Sequence, residues 1–197
     1  MSPLSNAPSL NKGAIQVIEG SRPIYTIYFQ YNPGKVSRSL KPRWQKDEKS
    51  IRPMRAEGVP DETIKLEVEI DAADQLENAE GPGIYPQISA LEVLVYPKVD
   101  DVTSTILLLK KLGVMKVASL EAPTVLLVWG KNRVIPVKLT DISISEEAHD
   151  KDLNPIRAKV SLNMQVLSYN DLFVGQPGFD QYKTYHQNKE KWAAKAR

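Results

Sequence analysis

The chain has 197 residues, 42% hydrophobic and 25% charged, which is typical of one soluble globular domain with a short extension. Lysine and arginine number 26 against 24 for aspartate and glutamate, and this near balance argues against a dedicated nucleic-acid-binding protein. Cysteine is absent, which excludes disulfides, thiolate metal sites and a cysteine nucleophile.

The N-terminal segment, residues 1–12, is rich in serine, proline and asparagine and lacks periodicity. It is predicted to be a flexible arm, and it contains no apolar core of signal-peptide length. The longest apolar runs, such as ILLL at 106–109, are too short to span a bilayer, so we expect no direct membrane insertion.

Two strands are predicted next. AIQVIEG opens the first, and IYTIYFQYNPG forms the second. In the second strand, alternate residues from Tyr25 to Tyr31 share one face. Aromatic and β-branched residues suit a pleated surface, and NPG ends the strand.

Residues 35–60 are predicted to form a long exposed loop, because basic residues are frequent and apolar ones sparse. Loops of this length are usually functional or disordered. Its basic part, 35–55, includes Trp44, a pattern that can bind nucleic acid through phosphate contacts and stacking. A charged loop that contacts an acidic neighbouring subunit explains the same residues. We favour the second interpretation, because the rest of the chain offers no matching basic face.

The segment ETIKLEVEID alternates strictly between apolar and charged residues, which predicts a half-buried strand. GIYPQISALEVLVYP then changes to helical spacing, with Ile84, Ile88, Leu91 and Val95 on one face and Leu94 beside them. This helix is predicted to cover one side of a sheet and to end before Pro97. DVTSTILLLKKLGVM is compatible with a second helix or with a strand.

Residues 123–172 supply three further strands. TVLLVWG is a continuous apolar run and predicts a strand buried on both faces, with Trp129 buried after it. In VIPVKLTDISISEE the apolar residues move from odd to even positions between Leu139 and Ile142. A β-bulge there would let the apolar residues of both halves face the same side. IRAKVSLNMQVLSY alternates for longer and pairs with the preceding strand in a long hairpin.

These elements predict a mainly β fold over residues 13–172: an antiparallel β-sandwich or partly open barrel with a flanking helix. Residues 173–197 are predicted to form a C-terminal extension with a basic helical tail. Its aromatic side chains, Tyr182, Tyr185 and Trp192, are predicted to dock it on a neighbour.

The sequence offers little for catalysis or for a cofactor. DKDLNP at 150–155 begins like a calcium loop, but Pro155 replaces the required glycine and Ser161 the bidentate glutamate. The two histidines, His149 and His186, have no partners at metal-ligand spacing. Nucleophile-elbow and phosphate-loop motifs are also missing. We therefore expect no catalytic, metal or cofactor site.

Three segments in this order and spacing resemble the tube-protein family of contractile injection systems, which are phage-tail-like particles of bacteria. They are FQYNPGKVSRSLKPRW, IKLEVEIDAADQLE, and the long segment from PTVLLVWG to QVLSYNDL. The resemblance covers roughly residues 24–172. It implies the phage tail-tube fold, with two β-sheets packed crosswise, a flanking helix and long loops that reach the next ring.

The resemblance also implies a homo-hexameric ring whose partners are other tube rings, spike and baseplate proteins, and not nucleic acid. It implies roles in the fold and in inter-subunit contacts for ten residues. These are Tyr31, Asn32, Pro33, Arg38, Trp44, Trp129, Gly130, Pro155, Arg157 and Ala158. The tail and the segment DVTSTILLLKKLGVM favour a ring that joins tube to spike in the baseplate. A repeated inner-tube ring is the near alternative, and a nucleic-acid-binding β-barrel using residues 35–55 is the alternative of another class. Assembly in the bacterial cytoplasm is expected.

Overall fold

The computed structural model of the chain describes residues 12–20, 22–44, 55–72, 82–113 and 123–197. Its strands are β1 (Ala14–Glu19), β2 (Arg22–Tyr28), β3 (Val36–Lys41), β4 (Asp61–Asp71), β5 (Thr124–Val128), β6 (Val134–His149) and β7 (Pro155–Val166). Its helices are α1 (Tyr85–Glu92), α2 (Val99–Lys111) and α3 (Phe179–Lys195). The described strands form one open antiparallel sheet in the order β2-β1-β5-β6-β7-β4-β3, which confirms the predicted mainly β class.

The central part of the sheet follows the predicted alternation. In β4 the apolar residues from Ile64 to Ile70 are buried, and the charged residues between them are exposed. Strand β7 pairs with β4 in register, Val68 opposite Val160, so the buried faces of the two strands coincide. A one-residue slip would expose every one of these side chains, and burial of this face therefore fixes the register.

Strand β6 bends at the predicted bulge. Its pairing with β7 shifts register between Leu139 and Asp141, which leaves Thr140 as the extra residue. As a result, Leu139 and Ile142 both pack against the core despite their opposite parity. Because a bulge bends the strand that contains it, β6 can belong to two half-sheets. They are β2-β1-β5-β6, called here the proximal half-sheet, and β6-β7-β4-β3, the distal half-sheet.

The two half-sheets and two helices share one hydrophobic core. Proximal residues such as Ile15 and Leu127 join distal residues such as Leu162 in the same buried cluster. Gln30 and Asp71 fasten the half-sheets together, because the Gln30 amide bonds both the backbone N–H and the carbonyl of Asp71.

Helix α1 covers the core as predicted, with Ile84, Ile88 and Leu91 buried and a proline in its first turn. The predicted position of Val95 is wrong. The helix ends at Glu92, so Leu94 turns inward and Val95 is half exposed. Helix α2 settles the ambiguity of the next segment in favour of a helix, and it buries none of its residues.

The prediction of a loop over 35–60 is wrong for residues 36–41, which form edge strand β3. An edge strand needs few apolar residues, because backbone pairing with β4 holds it. Residues 45–54 lie outside the described part of the chain. The predicted arm at 1–12 lies outside it as well, except for Lys12.

The docking role predicted for Tyr182 and Tyr185 is contradicted. Both side chains are buried in the chain's own core, at 5% and 1% exposure. Helix α3 therefore packs on the β body, and the extension 173–197 is integrated with it. Burial raises the pKa of Tyr182 to about 12, so its hydroxyl stays neutral at physiological pH. Trp192 is 41% exposed and remains free to contact a neighbour.

Candidate functional site

The outer face of the distal half-sheet is polar along its whole length. Cross-strand pairing puts Ser143, Ser161 and Glu67 in one row, and Asp141, Asn163 and Lys65 in the next. We call this surface the polar sheet face. Its members are Ser37, Ser39, Thr63, Lys65, Glu67, Glu69, Asp141, Ser143, Ser145, Arg157, Lys159, Ser161, Asn163 and Gln165.

Charges on and beside the polar sheet face are partly paired. Lys159 contacts Glu147 at 2.7 Å, and Arg157 contacts Asp71 at 2.7 Å. The Lys159–Glu147 pair is exposed and adds little to stability, whereas Asp71 of the other pair is only 17% exposed. The face mixes acidic and basic groups and lacks apolar side chains. It therefore has no apolar patch to which other proteins would bind.

The distal half-sheet has two open edges. Strand β6 pairs with β5 only through Val134–Val137, and beyond Val137 no described strand pairs with that side of β6. Strand β3 forms the other edge, beyond β4. An open edge offers unpaired N–H and C=O groups to another chain, so each edge is a surface for strand addition.

A buried carboxylate anchors the β3 edge to helix α3. Glu62 of β4 is 3% exposed and accepts hydrogen bonds from Arg38 (2.7 Å), Lys189 (2.8 Å) and the Tyr185 hydroxyl (2.9 Å). The Lys189 ammonium also lies 4.1 Å from the centroid of the Tyr185 ring. Arg38 thus has a role within the subunit, joining the edge strand to the core.

These contacts also set the ionisation of the cluster. Burial raises the pKa of Glu62, but the hydrogen bonds from Lys189, Arg38 and Tyr185 outweigh it and leave this pKa below its ordinary value. Burial and the negative charge of Glu62 raise the pKa of Tyr185. The ionised carboxylate and the neutral phenol are therefore the stable forms.

Replacing Glu62 with glutamine is expected to lower the free energy of unfolding by about 2–3 kcal/mol at pH 7, since two cations would lose their shared partner. The folded-state pKa of Glu62 is depressed. Its contribution is therefore full above the unfolded-state value and is lost as pH falls through the folded-state value. Urea denaturation from pH 7 to pH 3 should show the difference between wild type and Glu62→Gln shrinking in acid.

The control for this prediction is the neighbouring Asp61→Asn variant. Asp61 pairs with Arg43 on the surface, where both side chains are more than a third exposed. An exposed pair of this kind contributes less than about 1 kcal/mol. Equal losses in the two variants would contradict a special role for Glu62.

Three residues of the resemblance meet at the start of β1. Asn32 accepts a hydrogen bond from the Gly13 amide at 2.7 Å. The Trp129 ring packs over Gly13, where an added Cβ would lie 2.7 Å from it, and its centroid is 6.5 Å from that of Phe29. Trp129 is partly buried, less than predicted. Gly130 has a φ of +71°, which lets the chain turn directly after the tryptophan.

A second group lies where β7 begins. The Pro155 carbonyl accepts the amide hydrogen of Ile84 at 2.9 Å, which fixes the start of α1 against the hairpin. Arg157 pairs with Asp71 on the polar sheet face, and Ala158 is fully buried beneath it. All three residues act inside the subunit here.

The remaining residues of the resemblance are more accessible. Tyr31 and Trp44 are 46% and 49% exposed, and Pro33 is half-buried. Trp44 forms an isolated antiparallel bridge with Ala56, and the Arg43 carbonyl accepts the Glu57 amide. Trp44 and Ala56, on either side of residues 45–54, are therefore neighbours beside β3.

The tip of the β6–β7 hairpin is a turn, as the sequence indicates. The Asp150 carboxylate accepts hydrogen bonds from the Asn154 side-chain amide and from the backbone amides of Asn154 and Asp152, which lowers its pKa. Among the described residues, no three His, Cys, Asp or Glu side chains are grouped to hold a metal ion. Within the same ranges, no helix is long and apolar enough to cross a membrane.

Sequence reasoning missed the anchor at Glu62 and the contact at Gly83. Glu62 has the same parity as the buried residues of β4, so an acid at a core-facing position was the available signal. Its partner Lys189 lies more than a hundred positions away and gave no signal. Gly83, just before α1, lies against the Pro155 carbonyl oxygen, and its sequence context GPG indicates only a turn.

Comparison with known proteins agrees with the resemblance. Residues 10–171, which include every described strand, match the family model described as contractile injection system tube protein. No curated protein matches the chain. Among solved structures it is similar to a chain in "Tail of empty GTA particle computed with helical refinement, C6 symmetry", at 14% identity over 78% of this chain and 89% of that one, with a TM-score of 0.32. The family match covers most of the sequence, and the chain belongs to the contractile injection system tube protein family.

Proposed function

We propose that the chain is a non-enzymatic structural subunit of a closed ring in a phage-tail-like particle, and that the polar sheet face lines the ring's channel. The observation that carries this proposal is the distal half-sheet itself. One of its faces is buried, the other is entirely polar, and no further strand among the described residues covers either edge.

Strand direction supports ring closure. Four antiparallel strands lie across the distal half-sheet, so β3 runs opposite to β6. If all copies face the same way around an axis, β3 of one copy lies antiparallel to the open edge of β6 of the next. The contact is heterologous and closes into a cyclic ring, which removes both edges.

Six copies, as the resemblance implies, would form a barrel of about 24 strands. With strands ~4.8 Å apart and tilted by ~40°, its backbone diameter is about 50 Å. A barrel of this size encloses a water-filled channel, because side chains can fill only barrels of about eight strands. A polar inner surface is what such a channel requires.

The position of the ring has two candidates. The first is the adaptor that joins the inner tube to the spike in the baseplate. Helix α3 lies beyond the family match, and α2 exposes apolar residues such as Leu107 and Leu108, which supports contacts with other baseplate proteins. The second is the repeated inner-tube ring, in which the two ends of neighbouring copies would have to complement each other. In both cases assembly would begin in the bacterial cytoplasm, before release or anchoring of the particle.

Binding of nucleic acid by residues 35–55 is less well supported. Arg38 and Arg43, two of its basic residues, are neutralised by Glu62 and Asp61 of the same chain. A dedicated phosphate-binding surface would keep such groups free.

Negative-stain electron microscopy and native mass spectrometry of the purified chain, alone and with co-expressed genomic neighbours, test the ring. We expect six-fold rings with a central channel. Rings that form only with a spike-like partner would favour the adaptor, and long tubes of this chain alone would favour the repeated ring. A monomer in every mixture would contradict the proposal.

Edge pairing can be tested with two neighbouring proline variants, Ser39→Pro and Leu40→Pro. Successive N–H groups of a strand point to opposite sides, so one proline removes a bond to β4 and the other removes an outward donor. We expect one variant to keep nearly wild-type thermal stability and lose rings. Rings that persist in the stable variant would show that the β3 edge is not the contact.

A further inference from the structure

The structure shows an apolar tip and an apolar crevice at opposite ends of the same subunit. We infer that the crevice between β2, β4 and α1 receives the Phe173–Val174 tip of a second copy in the adjoining ring. This inference rests on the repeated-ring candidate of the proposed function and adds the contact by which one ring docks on the next.

The tip is unusually exposed for its chemistry. Phe173 and Val174 are 78% and 85% exposed and lie side by side after β7. The turn is held in shape, because the Phe173 amide donates to the Gln176 side chain at 2.7 Å and the Gln176 amide donates to the Phe173 carbonyl at 3.0 Å. A preformed tip loses little conformational entropy when it docks.

The crevice has the complementary character. Its volume is about 320 Å³, at the lower end for ligand pockets, so it suits one or two side chains rather than a large ligand. Its walls are mainly apolar. They include Ile27, Phe29, Val68, Ile70, Ala90 and Leu91.

The two features lie at opposite ends of the strand axis. Val68 and Ile70, in the crevice, pair with the first half of β7, whereas the tip lies in the loop after β7, seven residues beyond Val166. That loop packs near the far end of β7, because the Leu167 amide donates to the Pro136 carbonyl and an added Cβ at Gly178 would contact both Pro136 and Leu172. From Ala158, the partner of Ile70, to Val166 at the end of β7 is eight residues, which corresponds to about 26 Å at ~3.3 Å per residue. Tip and crevice of one chain therefore cannot meet, but a copy displaced along this axis brings them together.

Charge favours the same stacking. Acidic side chains predominate at the crevice end, where they are Glu69, Asp71, Glu146, Glu147, Asp150 and Asp152. Two of the basic residues there, Arg157 and Lys159, are already paired with carboxylates of that end. At the tip end Arg43 is paired with Asp61, and the other basic side chains outnumber the acidic ones. The basic residues are Lys41, Arg55, Lys131, Arg133 and Lys138, and the acidic ones are Glu57, Asp171 and Asp180. The acidic end of one ring thus faces the basic end of the next, which gives the stack a single direction.

Cysteine cross-linking tests the contact, because the chain has no cysteine of its own. Val174→Cys alters the exposed tip, and Ala90→Cys makes a small change in the crevice wall. Mild oxidation of an equal mixture of the two full-length variants should give a covalent dimer on a non-reducing gel, and neither variant alone should give one. A chain with both substitutions should give a ladder of multimers. The control partner for Val174→Cys is Ser104→Cys, on exposed α2.

A disulfide forms only when the two Cα atoms come within about 7 Å, so the yield reports the proposed geometry. Dimer from the Val174–Ala90 mixture at no more than the yield of the Val174–Ser104 mixture would overturn the inference. Microscopy of the same wild-type protein separates this result from failure of the ring. Rings without the specific cross-link would refute the docking contact alone, and the cross-link without rings would refute the closed ring while supporting the contact.

Discussion

Replacing Tyr185 with alanine is expected to lower the free energy of unfolding by about 3–5 kcal/mol, the usual cost of removing a buried aromatic side chain. Tyr185 is 1% exposed and lies in the core between α3 and the sheet. Its ring contacts Tyr182 and the Lys189 ammonium, and its hydroxyl donates to Glu62. One substitution therefore opens a cavity and leaves a buried carboxylate with one donor fewer.

Two variants separate these contributions. Tyr185→Phe keeps the ring and removes the hydroxyl, so it should cost about 1–2 kcal/mol. Trp192→Ala removes an aromatic residue of the same helix that is 41% exposed, and it should cost less than about 1 kcal/mol. Urea denaturation followed by circular dichroism measures all three. A loss for Tyr185→Ala no larger than that for Trp192→Ala would show that α3 is not part of the cooperative core.

The packing of α3 on the core also changes the expected effect of removing residues 173–197 on the stability of the fold. Treated as a separate tail, residues 173–197 appear removable without harm to the fold. The buried positions of Tyr182 and Tyr185 indicate instead that truncation after Leu172 exposes core residues and leaves Glu62 without two of its three partners. Since Arg38 holds β3 to this cluster, α3 also stabilises the strand that we propose as a ring contact.

The sequence is most informative where one face of a strand is buried. Alternation in β4 and β7 predicts those strands, and the parity change between Leu139 and Ile142 predicts the bulge at Thr140. It is least informative at β3, where backbone pairing and the Arg38–Glu62 ion pair replace apolar burial. Helix α2 was ambiguous because its apolar residues, which are exposed, do not mark a buried face.

The candidate surfaces depend on information that a single sequence holds only in part. Alternation shows which residues of β4 are polar, but only the cross-strand register aligns Glu67 with Ser161 and Ser143 in one continuous face. Likewise, only the structure shows why position 13 is a glycine: the Trp129 ring packs against it and leaves no room for a Cβ. Contacts of this kind join segments far apart in the chain and leave no local pattern.

Replacing Gly83 with alanine is expected to lower the free energy of unfolding by about 2–4 kcal/mol. Its φ is +60°, a conformation that costs a residue with a Cβ about 1–2 kcal/mol. The added Cβ would also clash with the Pro155 carbonyl oxygen, which accepts the hydrogen bond from Ile84. Relief of the clash must move the start of β7 or of α1, and that weakens a hydrogen bond worth about 1 kcal/mol.

Gly20→Ala is the matched control for Gly83→Ala. Gly20 has nearly the same φ, +59°, but an added Cβ there meets nothing within 4 Å, so only the conformational cost of about 1–2 kcal/mol should appear. The difference between the two variants in urea denaturation then measures the contact between α1 and the hairpin. Equal losses of unfolding free energy would show that α1 and the hairpin can move apart at little cost. A larger loss at Gly83 would show that the hairpin, α1 and the crevice beside them form one rigid unit, as a ring-to-ring docking surface requires.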